Sequence, residues 1–267
     1  VLRSRTFAMS RANLIVKVRQ KLRNGNFSIG SWIQIPHGSV AEILSSCGYD
    51  WIAVDMEHGA ISHHQLPDLM RGIELGGVLP LARIAEGSEK DCKHALDAGA
   101  GGLIVPMVET GEYLAKIVEA SCWPPNGSRG VGFSRANLFG KYFVDYNAYE
   151  GQSPLMVAMV ESVKGVENFD EIARVDGLDA IFVGPYDLSA SLGCPGDFSA
   201  SVFIDCLSQL VIRSNEKNIP IGIHVVKPNQ GELEARVNEG FRFIAYGIDA
   251  VNLYLMSACP SVNKRYG

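Results

Sequence analysis

Residues 155–184 read LMVAMVESVKGVENFDEIARVDGLDAIFVG, and they decide the fold. A near-continuous apolar run at 155–161 is followed by a helix-like stretch at 165–175 and a second apolar run at 179–184. Runs of that length without polar alternation suit strands buried on both faces, as in a parallel sheet. The unit is therefore strand, helix, strand. Further runs at 28–34, 51–56, 79–84, 102–108, 219–225 and 242–248 bring the predicted strands to eight. Helix-like segments at 38–48, 88–99, 109–122, 199–218, 229–240 and 249–258 lie between or after them. LDAGAGGLIV and VNEGFRFIAY repeat the junction seen in ARVDGLDAIFV: helix end, glycine, strand.

Eight strands alternating with helices predict an α/β fold, a single (β/α)8 TIM barrel spanning 1–267 as one domain. A doubly wound sheet usually has fewer strands and a glycine-rich first turn. No G-x-G-x-x-G follows the first run, and no G-x-x-x-x-G-K-[ST] occurs. Before the first acid, Glu42, come Arg3, Arg5, Arg11, Lys17, Arg19, Lys21 and Arg23. This predicts a basic N-terminal capping helix at 10–23; a mitochondrial transit remnant has the same composition. The longest irregular stretch, 123–154, is expected to be a functional cover.

The 267 residues include 24 basic and 29 acidic side chains, a formal charge of −5. The pI of 5.7 argues against a nucleic-acid-binding module. Hydrophobic residues at 47% and charged residues at 20% describe a soluble globular chain rather than a disordered one. Six cysteines form no C-x-x-C pair, which points to a reducing compartment, the cytoplasm. No apolar stretch reaches the ~18 residues of a membrane span.

Functional groups of such a barrel gather at the C-terminal strand ends. There the sequence puts Asp55, Glu57 and His58 after the second strand, Arg83 in the third, and Glu161 at the end of the fifth. Gly184-Pro185-Tyr186-Asp187 follows the sixth strand, and the seventh holds His224. Glu161 and Asp187 close adjacent strands. Two hard oxygen ligands with room left over suit Mg²⁺ or Mn²⁺. Each acid alone also suits a helix cap or a partner for a nearby cation. His58, close to two carboxylates, fits a general base and equally a half-buried structural histidine. Arg83, in the apolar run LPLARI, must meet an acid such as Asp55 or an anionic ligand. His37, His63, His64 and His94 are weaker candidates.

WIAVDMEHGAIS (51–62), LARI (81–84), KHALDAGAGGLIVPMVET (93–110), WPPNGSRGV (123–131), VESVKGVENFDEIARVDGLDAIFVGPYDLSASLG (160–193) and FIAYGID (243–249) together resemble a known family. It is that of the metal-dependent 2-oxo acid aldolases of the HpcH/HpaI type, and the resemblance runs from about residue 12 to 255. SRANLFGKYFVDYN (134–147) is similar to the members acting on 2-dehydro-3-deoxyglucarate; 4-hydroxy-2-oxoheptanedioate aldolases are also near. The resemblance implies a lyase: an aldolase that cleaves a 4-hydroxy-2-oxo acid into pyruvate and an aldehyde. It implies a homohexamer of dimers that exchange a C-terminal helix, and a divalent ion, Mg²⁺ first, with Mn²⁺ or Co²⁺ as alternatives. Glu161 and Asp187 would be its ligands. Arg83 would meet the enolate oxygen. His58 would act as base through a water, supported by Asp55 and by Asp97 of a neighbouring chain. Gly184, Pro185, Tyr186 and Asp187 would bind the pyruvate carboxylate, with Trp32 also among the substrate-binding residues.

The chemistry agrees with this. Breaking the C3–C4 bond leaves a pyruvate enolate, which needs an electrophile. Lysines at 90, 93, 116, 141, 164, 217 and 227 fall in predicted helices or loops, away from a Schiff-base position. A cation held by carboxylates does the same work. Three positions depart from the family pattern: Met159, Tyr186 and Met56 predict a narrower, less polar pocket. Two other readings use the same fold: a related reaction through the enolate, such as oxaloacetate decarboxylation or cleavage of a CoA thioester, and an idle barrel kept as a binding protein.

Overall fold

The computed structural model describes residues 7–258. It begins with α1 (Phe7–Arg23), β1 (Ser28–Ile33), α2 (Gly38–Ser45), β2 (Trp51–Asp55), α3 (Leu66–Leu75) and β3 (Leu79–Arg83). Next come α4 (Glu89–Asp97), β4 (Gly102–Val105) and α5 (Gly111–Ser121), then a 3₁₀ turn (Arg135–Asn137) and α6 (Phe143–Ala148). The chain continues with β5 (Leu155–Val160), α7 (Val163–Glu167), α8 (Phe169–Ile172), β6 (Ala180–Val183), α9 (Pro185–Ser191) and α10 (Ser201–Lys217). It closes with β7 (Ile221–Val225), α11 (Gln230–Glu239), β8 (Phe243–Ile248) and α12 (Asp249–Met256).

All eight predicted strands form, and they close in chain order into one parallel barrel, with β8 pairing back onto β1. Strand alternation divides the apolar residues between two cores. Trp51 and Ala53 of β2, Val157 and Met159 of β5, and Phe182 of β6 point into the barrel. Ile52, Val54, Ala158, Val160 and Ile181, one residue out of phase, meet the surrounding helices. That double burial is why the strands read as unbroken apolar runs.

The N-terminal basic segment is a capping helix, as expected. Ile15, Val18 and Leu22 of α1 enter the barrel-interior cluster from below. Full burial of such side chains contributes about 1.5–3 kcal/mol each. Arg11 ties α1 down: it pairs with Glu74 and Glu150 and donates to the Ala136 carbonyl. Arg3 and Arg5 lie outside the described residues, as does Cys259. The other five cysteines are free. Among the described residues no helix is long and apolar enough to cross a membrane.

Two helix expectations need correction. The predicted 165–175 helix is two short ones, α7 and α8, meeting at Asn168. Helix α3 fills the stretch between the second and third strands, where the alternation calls for a helix but the expected helix-like segments leave a gap. It carries Pro67 in its first turn, where proline is accommodated, and Gly72 in its interior, which disfavours a helix in isolation. Gly72 is required by packing: a Cβ there would lie 2.8 Å from the Cβ of Ala41 on α2.

The long 123–154 segment, read as a cover, contains the 3₁₀ turn and α6. It joins α5 to β5, so it lies at the N-terminal end of the barrel, where strands begin. Its 3₁₀ turn and α6 pack against α4 and α1, around a small core of Trp123, Ala136 and Tyr146. Within one chain it covers the end of the barrel opposite the predicted site.

Candidate active site

Asp55 and Arg83 end β2 and β3 and are register partners. Arg83 Nε donates to Asp55 Oδ1 at 2.9 Å and Nη2 to Oδ2 at 2.6 Å. Such a two-point charged contact fixes the plane of the guanidinium. Asp55 is fully buried and also accepts from Gln34 Nε2 at 2.8 Å and from the backbone N–H groups of Glu57 and His58, both at 3.1 Å. The Arg83 guanidinium and these donors hold its carboxyl below the usual range despite burial.

Trp32, only 2% exposed, forms the floor. The Arg83 guanidinium lies 4.6 Å from its ring centroid, a cation–π contact. Trp32 thus sits under Arg83. The third nitrogen of Arg83, Nη1, is 3.1 Å from Glu57 Oε2. Burial raises the Glu57 carboxyl, with Asp55 and Asp187 adding to the rise and Arg83 opposing it. Glu57 lies in a motif the sequence singled out, but its contact with Arg83 was not foreseen.

Glu161 follows β5 and is buried. Its Oε1 accepts from the Met107 backbone N–H at 2.6 Å. Burial, helped by the charges of Glu57 and Asp187, pushes its carboxyl up to about 7. Oε2 faces the β6 end: a Cβ built on Gly184 would lie 2.3 Å from it. Glycine is required there by the carboxylate itself. Gly184 precedes α9, whose first turn carries Pro185, Tyr186 and the exposed Asp187. Pro185 has no N–H, so this turn offers backbone donors only at Gly184, Tyr186 and Asp187.

His58 stands on the rim with an exposed side chain. The expected support from Asp55 takes another form. The Asp55 carboxylate is occupied by Arg83, Gln34 and backbone N–H groups, including that of His58 itself. Asp97 ends α4, so within this chain it sits at the far end of the barrel from His58. There the Arg129 guanidinium and Lys93 draw its half-buried carboxyl down against the upward pull of burial, which wins.

The three departures from the family pattern occupy different places. Met56 packs into the outer core against helices. The Tyr186 ring leans edge-on against Phe198, with centroids 5.0 Å apart. Met159 is buried inside the barrel. His37 caps α2 by accepting from the Ser39 N–H, and His63 stacks on His94, with ring centroids 4.6 Å apart.

Three carboxylates, Glu57, Glu161 and Asp187, thus act on one another beside a single guanidinium. That imbalance drives one buried acid, Glu161, to hold its proton. Glu161 and Asp187 could offer hard oxygen donors to a cation, although among the described residues no group of three or more His, Cys, Asp or Glu side chains gathers as a metal site.

The HpcH/HpaI aldolase/citrate lyase family model matches residues 28–254. A 4-hydroxy-2-oxovalerate aldolase of Novosphingobium aromaticivorans is 35% identical over 86% of this chain and 87% of its own. A 2-keto-3-deoxy-L-rhamnonate aldolase of Salmonella gallinarum is 34% identical over 87% of each. Such aldolases are carbon–carbon lyases. The crystal structure of a family member from Burkholderia cenocepacia J2315 superposes with a TM-score of 0.84 at 30% identity, over 90% of this chain and 96% of that one. The sequence resemblance is therefore confirmed: the chain belongs to the HpcH/HpaI aldolase/citrate lyase family.

Proposed function

We propose that this protein is a divalent-cation-dependent pyruvate aldolase, cleaving a 4-hydroxy-2-oxo acid into pyruvate and an aldehyde and catalysing the reverse condensation. One observation carries the reading: Arg83, locked by Asp55 and Trp32, stands at the barrel mouth with the buried Glu161. A fixed cation and a carboxylate pair are what an enolate and a Lewis acid require.

Glu161 and Asp187 would hold the cation, Mg²⁺ first, with Mn²⁺ or Co²⁺ as alternatives. When bound, it supplies Lewis acidity toward the 2-oxo and carboxylate oxygens of the substrate. The N–H groups of Gly184, Tyr186 and Asp187 receive the carboxylate. His58 takes the 4-hydroxyl proton through a water. The C4–O electrons then form the aldehyde carbonyl, and the C3–C4 pair passes into the pyruvate enolate. Arg83 holds the enolate oxygen, and C3 takes a proton from water to give pyruvate. Uncovering the same enolate from oxaloacetate needs no base at a 4-hydroxyl.

Asp97 would orient His58 from a neighbouring subunit, since within one chain it lies at the other end of the barrel. The face that carries it suits docking: Phe133 is 74% exposed, and Val131, Phe139 and Val144 are also exposed. Leu253, Tyr254 and Met256 of α12 are exposed as well, which supports a homohexamer of dimers exchanging that helix. A large exposed apolar surface of this kind marks a protein interface. The compartment we assign is the cytoplasm.

The test is pyruvate release from a panel of 4-hydroxy-2-oxo acids, with oxaloacetate included, before and after EDTA. Release should stop in EDTA and return with Mg²⁺, Mn²⁺ or Co²⁺. Glu161→Gln and Asp187→Asn should lose it by orders of magnitude while remaining folded. Full release in EDTA, with borohydride trapping pyruvate on a lysine, would overturn the reading.

A further inference from the structure

His224 belongs to none of the steps above, yet it lies inside the mouth. Along β7 the outward residues Ile221, Ile223 and Val225 join the outer core. His224, out of phase with them, points into the barrel. Val183 pairs with Ile223, so His224 stands level with Gly184, the residue against which Glu161 lies. Its ring is 5.8 Å from that of Trp32, on which Arg83 rests.

The hydrogen bonding fixes the ring's chemistry. Nε2 is 3.2 Å from the Gly247 carbonyl oxygen. A carbonyl oxygen only accepts, so Nε2 carries the proton. Nδ1 is then a lone-pair acceptor in the neutral ring. It has no hydrogen-bond partner among the described residues and is not sealed from solvent. The ring stays neutral at physiological pH, because burial and the Arg83 charge lower its pKa to about 4. The site therefore holds a permanent acceptor that can pair only with an O–H or N–H. The cation ligands and the carboxylate of a 2-oxo acid cannot satisfy it, and the 4-hydroxyl is already directed to His58.

We propose that His224 is a specificity-determining residue: its Nδ1 accepts a hydrogen bond from a hydroxyl on the aldehyde half of the substrate. The substrate class is then a 2-oxo acid bearing a hydroxyl beyond C4, and the aldehyde partner a hydroxyaldehyde. This assignment rests on the aldolase reading above. A site that pairs with a hydroxyl discriminates against an analogue that lacks it, because a methyl group in that place covers the acceptor from water and leaves it unpaired.

The experiment is condensation of pyruvate with glycolaldehyde and with propionaldehyde, which carries a methyl group in place of the hydroxyl. The readout is the ratio of kcat/KM for the two aldehydes. In His224→Leu the wild-type ratio in favour of glycolaldehyde should fall about tenfold or more. His224→Asn, which keeps an acceptor oxygen, should retain part of it. Equal ratios in wild type and His224→Leu overturn the assignment. Pyruvate C3-proton exchange by the wild type separates the two claims. Exchange with an unchanged ratio removes His224 and leaves the aldolase reading standing. Absence of both exchange and condensation overturns the reading and the assignment together. If the leucine variant does not fold, the ¹⁵N resonance of Nδ1 in the wild type decides: it should move when glycolaldehyde joins saturating pyruvate, and an unmoved resonance overturns the role.

Discussion

Arg83 and Asp55 are opposite one another on adjacent strands and share two hydrogen bonds, 2.9 and 2.6 Å long. The pairing gives Asp55 a different task from the one its place in D-x-E-H suggests. Its carboxylate holds the guanidinium of Arg83, and it meets His58 only at the backbone N–H. Gln34 and two backbone N–H groups fill its remaining lone pairs, so the carboxylate cannot swing to a second partner.

Asp55→Asn should therefore behave like an arginine variant. Aldol cleavage, oxaloacetate decarboxylation and pyruvate C3-proton exchange all need the enolate oxygen held, and all three should fall together, by about 10²–10³-fold. Asp55→Ala should also destabilise the fold, by about 3–5 kcal/mol, because it strands a buried guanidinium. Parallel assays of the three reactions check this. A loss confined to cleavage would return Asp55 to the service of His58.

The barrel was legible because double burial writes each strand as an apolar run, and junctions such as ARVDGLDAIFV mark where helices end. Helix α3 was harder to read, because its Gly72 follows from tertiary packing against Ala41 rather than from local preference. The acids and Arg83 at the strand ends could be read as candidates, since a charge in an apolar run must meet something. Their partners could not. Gln34 and the Met107 N–H come from loops whose paths only the closed barrel defines. The length of 123–154 marks it as a cover but does not say which end of the barrel it covers. A segment running from helix to strand must emerge at the N-terminal face.

Gly184 is where backbone and chemistry meet. A Cβ there would lie 2.3 Å from Glu161 Oε2 and 3.1 Å from Glu161 Cβ. Gly184→Ala should displace the carboxylate by about an ångström, enough to cost 10²-fold or so in turnover, while overpacking costs the fold about 1–3 kcal/mol. Weakened cation binding in titration calorimetry, with a modest fall in Tm, is the expected pair of results. Wild-type affinity in the alanine variant would show that Glu161 is free to move.

Glu161 ties stability to pH. Its carboxyl is raised from the ordinary 4.5 to about 7, so the cation-free folded state binds this proton more tightly than the unfolded chain. Its contribution is present in full below the ordinary value and is lost as pH rises through about 7. Above that, a buried and crowded carboxylate costs the cation-free fold at most about 3 kcal/mol. Glu161→Gln, which can still accept from Met107, should thus raise Tm at pH 8 in EDTA and leave it nearly unchanged at pH 4.5. Mg²⁺ should raise the wild-type Tm at pH 8 and do little for the variant. Cation binding at pH 6 should release a proton, read from calorimetry in buffers of different ionisation enthalpy.

The last prediction concerns His58 and Asp97. Local geometry cannot bring them together: His58 follows β2 at the C-terminal face, and Asp97 ends α4 at the N-terminal face. If Asp97 serves the His58 of another copy, each active site is built from two chains. His58→Ala and Asp97→Ala should then each lose about 10²–10⁴-fold in cleavage, the scale of a positioned general base. Oxaloacetate decarboxylation, which has no 4-hydroxyl to deprotonate, should be largely spared in both. When the two variants are unfolded together and reassembled, some sites pair an intact His58 from one chain with an intact Asp97 from the other. Random pairing restores about a quarter of the sites, so cleavage should recover far above that of either variant alone, and only in the oligomeric fraction of a sizing column. Recovery fails if both residues act within one chain, because no mixed assembly then contains a complete site. Full wild-type activity in a monomeric fraction would equally remove Asp97 from the mechanism, and would leave the exposed Phe133 and Val131 needing another partner.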